Sequence, residues 1–179
     1  MGKTDPGEKS LKRRSGFTMV ELMITMVIIA ALVGIAIPAF SVWMPNYRLK
    51  DGTRSLISAI QLARLTAIKE NRSTVVWFYK VDETYRAFVD DGAGGGTAGD
   101  NLQNGTERTI IGGTMPEGVD IDSYSITTVE NRTTFNNRGM SSDWGYVYLK
   151  NSKGRWQRIT LYFTGVTEIH DSTNGTTWS

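Results

Sequence analysis

Residues 12–47 read KRRSGFTMVELMITMVIIAALVGIAIPAFSVWMPNY, and this stretch decides how the rest of the chain is interpreted. Residues 22–40 are nineteen consecutive residues without a charge, and the next charged residue is Arg48. At about 1.5 Å per residue, roughly 20 helical residues cross the ~30 Å hydrocarbon core of a bilayer. The length of the run and its flanking charges therefore favour a membrane-spanning helix over a buried core helix. A secretory signal peptide fits less well, because no small-residue cleavage site follows the apolar run.

The basic residues before the apolar run predict its orientation. Lys12, Arg13 and Arg14 precede it, and residues 1–16 contain five basic and two acidic residues. Because positive charge stays on the cytoplasmic side, the leader is predicted to be cytoplasmic and the C-terminal bulk to lie outside. Without the leader the formal charge changes from +2 to −1, so the sequence pI of about 8.9 is poor evidence for nucleic-acid binding.

Glu21 places a charge immediately before the apolar run. A carboxylate at the centre of a membrane helix costs about 2.5 to 3.5 kcal/mol, and less toward the interface. Two interpretations have similar weight. Glu21 is either a functional group that needs a partner in the membrane, or a carboxylate at headgroup level near a helix N-terminus, where negative charge is favourable.

The segment around Glu21 resembles the class III signal of type IV prepilins and type II secretion pseudopilins. The resemblance rests on GFTMVELM at residues 16–23, which follows KRRS at residues 12–15 and precedes the apolar helix. It implies that a membrane prepilin peptidase cleaves between Gly16 and Phe17 and methylates the new N-terminus. It also implies that Glu21 pairs with the terminal amine of a neighbouring subunit during assembly. Two charges that are each costly in lipid are less costly when paired.

Beyond the apolar run, the sequence predicts that the helix continues to about Asn71. The residues expected on its buried face recur at steps of three and four; they are Leu49, Thr53, Leu56, Ile60, Ala63 and Ala67, with Ile57 and Ile68 widening the face. Strand-like segments follow at residues 74–80, 85–90, 108–111, 119–129, 132–135, 145–150, 155–163 and 166–170. Alternation predicts that Ile159, Leu161 and Phe163 share one face, and residues 151–154 are predicted to form a hairpin turn.

These elements predict an α+β fold, in which a long N-terminal helix packs on a small antiparallel sheet and spans the membrane with its first half. The predicted domains are a cleaved leader at residues 1–16, a transmembrane and assembly segment at 17–47, and a periplasmic pilin-like domain at 48–179.

Four later segments resemble the family of the type II secretion minor pseudopilin H and the minor pilin FimT. They are LARLTAI at residues 62–68, VVWF at 75–78, TFNNRG at 134–139 and ITLYFTGV at 159–166. Arg64 in the first segment is expected on a solvated helix face, with hydrogen bonds to strand ends or loop carbonyls as the alternative.

Catalysis, cofactors and metal sites are disfavoured. The absence of cysteine excludes a thiolate site, and the single histidine, His170, excludes a multi-histidine site. The oxygen-rich residues 90–105 invite a calcium interpretation, but they lack EF-hand spacing, and a mobile loop is expected. His170 and Asp171 with a serine would lack a nucleophile elbow, and no nucleotide-binding glycine motif is present. The chain is therefore predicted not to be an enzyme.

The leading hypothesis is a minor pseudopilin of a type II secretion system, held in the inner membrane by a single helix with its C-terminal domain in the periplasm. Its expected partners are prepilin peptidase, other pseudopilins or pilins, and an exported substrate. The alternative is a FimT-like minor pilin of a type IV pilus that acts in pilus biogenesis or DNA uptake.

DNA is a disfavoured partner. The FimT resemblance implies a Gly-Arg-x-Arg pattern after the last strand, whereas residues 165–168 read GVTE, without the charge that would displace counterions from phosphates. The remaining candidate phosphate contacts lie around one hairpin; they are Lys150, Lys153, Arg155 and Arg158.

Overall fold

The computed structural model describes residues 16–126 and 131–179. Residues 1–15 of the predicted leader, which comprises residues 1–16, and the predicted strand end at 127–129 lie outside the described residues. The elements in chain order are α1 (Met19–Glu70), β1 (Ser73–Tyr79), β2 (Thr84–Asp90), a short 3₁₀ helix (Ala93–Gly95), β3 (Thr109–Thr114), β4 (Val119–Ile126), β5 (Arg132–Phe135), β6 (Gly145–Asn151), β7 (Trp156–Leu161) and β8 (Thr167–Ser172).

Helix α1 is continuous through Pro38 and Pro45 and ends within one residue of its predicted end. Asn71 follows it with a φ of 53°, a left-handed conformation that is common after a helix. The described residues divide into two units, one that ends at Phe40 and one from Ser41 to Ser179.

In the unit Ser41–Ser179, α1 buries the face that the periodicity predicts. The buried helix residues are Leu49, Gly52, Thr53, Leu56, Ala59, Ile60, Ala63, Thr66 and Ala67. Ile57 is partly buried against the same core, whereas Ile68 is 45% exposed, so the prediction for Ile68 is wrong. The largest buried side chains opposite the helix include Phe78, Phe135 and Leu149. Each contributes about 1.5 to 3 kcal/mol of burial free energy.

The strands form two four-stranded sheets, where a single sheet was expected. One sheet has the order β3-β2-β1-β5 and the other the order β4-β6-β7-β8. Every pairing recorded between strands in the described residues is antiparallel. The predicted α+β class is confirmed, and each of the eight predicted strands overlaps an observed one.

The predicted β6–β7 hairpin is present. The Asn151 Oδ1 atom accepts hydrogen bonds from the amides of Lys153 (3.0 Å) and Arg155 (2.9 Å), and Gly154 has a φ of 74°. Ile159 and Leu161 are buried as predicted, but Phe163 lies beyond the strand and is 53% exposed. The alternation therefore ends at Leu161, because the chain turns there toward β8.

Arg64 and Gln61 connect the helix to the turn at Gly139 and to the start of β8. Its Nε donates a hydrogen bond to the Gly139 carbonyl at 2.8 Å, and Gln61 Nε2 donates to Thr167 Oγ1 at 3.1 Å. Gly139 and Gly165 have φ values of 72° and 76°, and a Cβ at Gly165 would lie 2.7 Å from Arg64 Nε. We call Gln61, Arg64, Gly139 and Gly165 the Arg64 clasp. The loop-carbonyl alternative for Arg64 is thus the one observed, and the expected solvated face is wrong.

Removing the clasp is expected to destabilise the fold. Arg64→Ala deletes a charge-assisted hydrogen bond and leaves the Gly139 carbonyl without this partner, a loss of about 1.5 to 3 kcal/mol in the free energy of unfolding. The measurement is urea denaturation of the detergent-solubilised chain followed by tryptophan fluorescence. Arg54→Ala, at an exposed position of α1 without a recorded ion pair, is the control and should change stability by less than about 0.5 kcal/mol. Equal effects of the two variants would contradict the clasp.

Candidate functional site

The predicted processing junction lies at the start of the described residues. Gly16 and Phe17 precede α1, both are exposed, and 83% of the Phe17 surface is accessible. A side chain added at Gly16 would meet no described atom within 4 Å. Such a backbone can be approached closely from outside, which peptide-bond cleavage requires.

Glu21 is bound within its own chain by Thr18. The Glu21 amide donates to Thr18 Oγ1 at 3.2 Å, and the Thr18 amide donates to Glu21 Oε2 at 2.9 Å. The Thr18 hydroxyl donates to the same Oε2 at 3.0 Å. This is a capping box, in which two amides at the helix start find partners reciprocally. The Thr-x-x-Glu spacing at residues 18–21 is a local signal in the sequence that could have predicted this box.

The box agrees with the second interpretation of Glu21, a carboxylate near a helix N-terminus. Acidic groups in the first helical turn interact favourably with the helix dipole. The Oε1 atom of Glu21 has no hydrogen bond recorded in the described residues, and the side chain is exposed. The cap therefore leaves one carboxylate oxygen available, and pairing with a second subunit stays a prediction.

The first part of α1 carries apolar side chains on all its sides. Among the described residues, α1 is the helix that is long and apolar enough to cross a membrane. The exposed large apolar residues before the unit boundary are Phe17, Met19, Val20, Leu22, Met23, Ile24, Met26, Val27, Ile28, Ile29, Leu32, Val33, Ile35, Ile37 and Phe40. A helix that is apolar on all its sides needs cover from lipid or from other protein.

The oxygen-rich loop between β2 and β3 uses its carboxylates to hold its own backbone. Asp90 is buried and accepts hydrogen bonds from the amides of Gly99 (2.7 Å) and Asn101 (2.9 Å). Glu107 accepts from the amides of Gly92 (2.9 Å) and Asn104 (3.0 Å). Burial raises the pKa of Asp90, and the two amides oppose that shift. The expected mobile loop is thus tied by side-chain hydrogen bonds, and the described residues contain no cluster of three metal-binding side chains.

Two of the four hairpin cations are engaged with aromatic rings. The Arg158 guanidinium lies 4.8 Å from the ring centroids of both Tyr146 and Trp178, and Lys150 Nζ lies 4.9 Å from that of Trp156. These cation–π contacts hold the two charges against the sheet. The structure therefore does not gather the four cations into one phosphate-binding group.

His170 belongs to a polar contact rather than to a hydrolytic set. Its Nε2 lies 3.6 Å from Glu168 Oε2, and the same carboxylate oxygen accepts a hydrogen bond from the Tyr162 hydroxyl at 2.8 Å. That hydrogen bond raises the pKa of Tyr162. No serine hydroxyl is recorded as a hydrogen-bond partner of His170 in the described residues, and a nucleophile without a base is not activated.

Family models match both parts of the chain. A model described as Type II transport protein GspH matches residues 52–165, and the prokaryotic N-terminal methylation motif matches residues 11–37. No curated protein sequence matches significantly.

Two solved structures have a similar fold. The minor pseudopilin EpsH from the type 2 secretion system of Vibrio cholerae superimposes with a TM-score of 0.52 at 14% identity, covering 68% of this chain and 95% of that one. The type IV minor pilin FimU of Pseudomonas aeruginosa strain PAO1 gives a TM-score of 0.50 at 12% identity, covering 71% and 91%. At sequence identities this low, the structural similarity shows a shared fold alone.

Asp90→Asn tests whether the loop depends on its buried carboxylate. The variant replaces one carboxylate oxygen, which accepts a hydrogen bond, with an amide NH₂ group, which donates one and would face a backbone N–H of the loop. We therefore expect a loss of about 1 to 3 kcal/mol in the free energy of unfolding. Hydrogen exchange should also accelerate at Gly99 and Asn101. Asp82→Asn, at an exposed position next to β2, is the matched control. Unchanged exchange in Asp90→Asn would show that the loop is held by other contacts.

Proposed function

The chain belongs to the GspH family of type II transport proteins, within the type IV pilin superfamily, and on this premise we propose that it is a minor pseudopilin of a type II secretion filament. Members of this family are structural, non-catalytic subunits. The observation that carries the proposal is the GspH match over residues 52–165 in a chain that also has a methylation motif at residues 11–37.

The N-terminal helix fits a single-pass membrane anchor with a soluble C-terminal domain. We propose that the membrane is the inner membrane and that the domain lies in the periplasm. The basic leader supports this orientation, because positive segments stay on the cytoplasmic side. A helix suits this environment because it satisfies its own backbone hydrogen bonds and can enter lipid without exposing polar groups.

Processing is proposed to occur between Gly16 and Phe17, by a prepilin peptidase that also methylates the Phe17 amine. The open backbone at Gly16 supports this site. Cleavage there would place a new cation four residues before Glu21, at the end of a segment that has no other described charge before Arg48.

Glu21 is proposed to pair with the terminal amine of a neighbouring subunit. Its capping box uses Oε2, so Oε1 can accept an ammonium group while the cap stays in place. The attraction between the two charges of an ion pair is stronger inside a low-dielectric helix bundle than in water. Either charge alone would be costly in that environment. The pairing would favour one stagger between subunits, as filament assembly requires.

The alternative is a minor pilin of a type IV pilus, as the similarity to FimU suggests. The two superpositions have nearly equal scores, so fold similarity favours neither system. Secretion is preferred over DNA uptake because the turn after β7 provides no arginine pair. In that region Gly165 belongs to the Arg64 clasp, and Glu168 accepts the Tyr162 hydroxyl.

Gly16→Leu should block processing. A branched side chain at the cleaved bond obstructs close approach of the peptidase, so unprocessed precursor should accumulate in membranes. Intact-mass and N-terminal analysis of membrane-extracted protein measures this, with wild type expected to begin at a methylated Phe17. Gly16→Ala is the milder control and should be cleaved at least in part. Wild-type protein that retains residues 1–16 would contradict the proposed processing.

Glu21 variants separate assembly from capping and test the function. In native cells lacking this chain, the wild type should restore export of secreted proteins. Glu21→Gln retains a capping acceptor but loses the charge, so it should insert and be processed yet fail to co-purify with the filament. Thr18→Ala weakens the cap but retains the charge, and it should assemble.

Two outcomes would contradict this account. Normal filament assembly of both Glu21→Gln and Glu21→Ala would exclude the charge pairing. Unchanged export in cells lacking the chain, combined with loss of pili or of DNA uptake, would exclude the secretion assignment and support the minor-pilin alternative.

A further inference from the structure

A cleft in the unit Ser41–Ser179 lies between α1 and the end of the second sheet. Its volume is about 320 Å³, and its lining residues are Trp43, Asn46, Tyr47, Lys50, Arg155 and Asp171. A second cavity of about 260 Å³ shares Lys50 and Asp171 with it and adds Arg54. Helix and sheet therefore both contribute polar groups to one concave surface.

The cleft has an excess of positive charge. Lys50, Arg54 and Arg155 have no ion pair recorded within the described residues, whereas Arg48, for example, pairs with Glu117 at 3.1 Å. The acid in both cavities is Asp171, whose Oδ1 accepts a hydrogen bond from Gln157 Nε2 at 2.9 Å. Three cations face one anion here, although residues 48–179 contain fifteen basic and fifteen acidic residues. The excess is thus local and unrelated to the net charge of the domain.

The helical side of the cleft begins where the apolar part of α1 ends. A bilayer core takes roughly 20 helical residues, which counted from Leu22 reaches Ser41. Trp43 and Tyr47 come next; their rings are stacked at 5.3 Å between centroids and are 56% and 53% exposed. Tryptophan and tyrosine are enriched at this depth, where lipid headgroups meet water. Lys50 follows within one turn, about 13 Å beyond Ser41 along the helix, and helical side chains such as this one point back toward the helix N-terminus and so toward the headgroups.

We propose that this cleft binds the phosphate of an anionic phospholipid headgroup. Lys50 and Arg155 form ion pairs with the phosphate from opposite walls, Arg54 adds positive potential, and the stacked rings contact the glycerol region. Lysine and arginine close to a membrane surface attract anionic headgroups electrostatically. A zwitterionic lipid fits less well, because its ammonium group would meet three cations and a carboxylate already hydrogen-bonded to Gln157. The inference rests on the proposed membrane anchoring.

The test uses the full-length mature chain in a non-ionic detergent, titrated with short-chain phosphatidylglycerol and with the matching phosphatidylcholine. Native mass spectrometry measures the fraction with lipid bound. The variant Lys50→Gln/Arg155→Gln should lose about 30-fold in affinity for phosphatidylglycerol, at about 1 kcal/mol for each cation removed. The control Arg138→Gln/Lys153→Gln removes one arginine and one lysine at exposed positions outside the cleft and should bind as the wild type does.

The outcomes separate the possible sources of binding. The site is supported if the wild type and the control variant both bind phosphatidylglycerol more tightly than phosphatidylcholine. The cleft variant should lose this preference while its melting temperature stays unchanged. Equal binding of the two lipids, equal binding by the cleft variant, or displacement by millimolar inorganic phosphate would overturn it. A chain that is extracted from cells without detergent would contradict the membrane anchor and the lipid site together. A detergent-dependent chain without lipid preference would contradict only the site.

Discussion

The structure depends on the apolar surface that α1 exposes before the unit boundary. Burying one large aliphatic or aromatic side chain is worth about 1.5 to 3 kcal/mol, and residues 17–40 expose many of them. An exposed apolar surface of this size strongly favours transfer of the segment from water into lipid or against other protein. Lipid before assembly and neighbouring helices after it are environments that meet this constraint. Glu21 lies at its edge, where the Thr18 amide and hydroxyl hold one of its carboxylate oxygens.

The same helix obeys a different constraint in the second unit. From Leu49 onward one face is covered by strands, and small residues such as Ala59 and Ala63 allow close approach. At the far end the Arg64 clasp joins the helix to the turn at Gly139 and to β8. Substitutions along α1 should therefore act on membrane insertion and assembly before the boundary and on folding stability after it. The two effects can be separated experimentally.

Local pattern predicted most of the elements but not their partners. Helix periodicity identified the buried face, and alternation located each strand, because both report which side of an element is covered. Strand pairing is a non-local property: β5 joins β1 across the intervening β2, β3 and β4, and no periodicity encodes that. The loop-carbonyl role of Arg64 was only the alternative prediction for a similar reason, since its acceptor, Gly139, is 75 residues away. The Thr18–Glu21 box was local and was predictable in principle.

Counting charges along the sequence does not show which cations the fold places in a cleft. The hairpin looked basic, but antiparallel register places Lys150 opposite Trp156 and Arg158 opposite Tyr148, and aromatic rings flank both cations. Arg155 stands just before β7 and has no ring contact recorded in the described residues, and the fold brings it to the same cleft as Lys50, about one hundred residues earlier in the chain. A cation that stacks on its own sheet has already lost part of its hydration and mobility, whereas an unpaired cation in a cleft retains its capacity for a phosphate. The positive potential available to a ligand therefore lies beside the helix, although the sequence concentrates its basic residues in the hairpin.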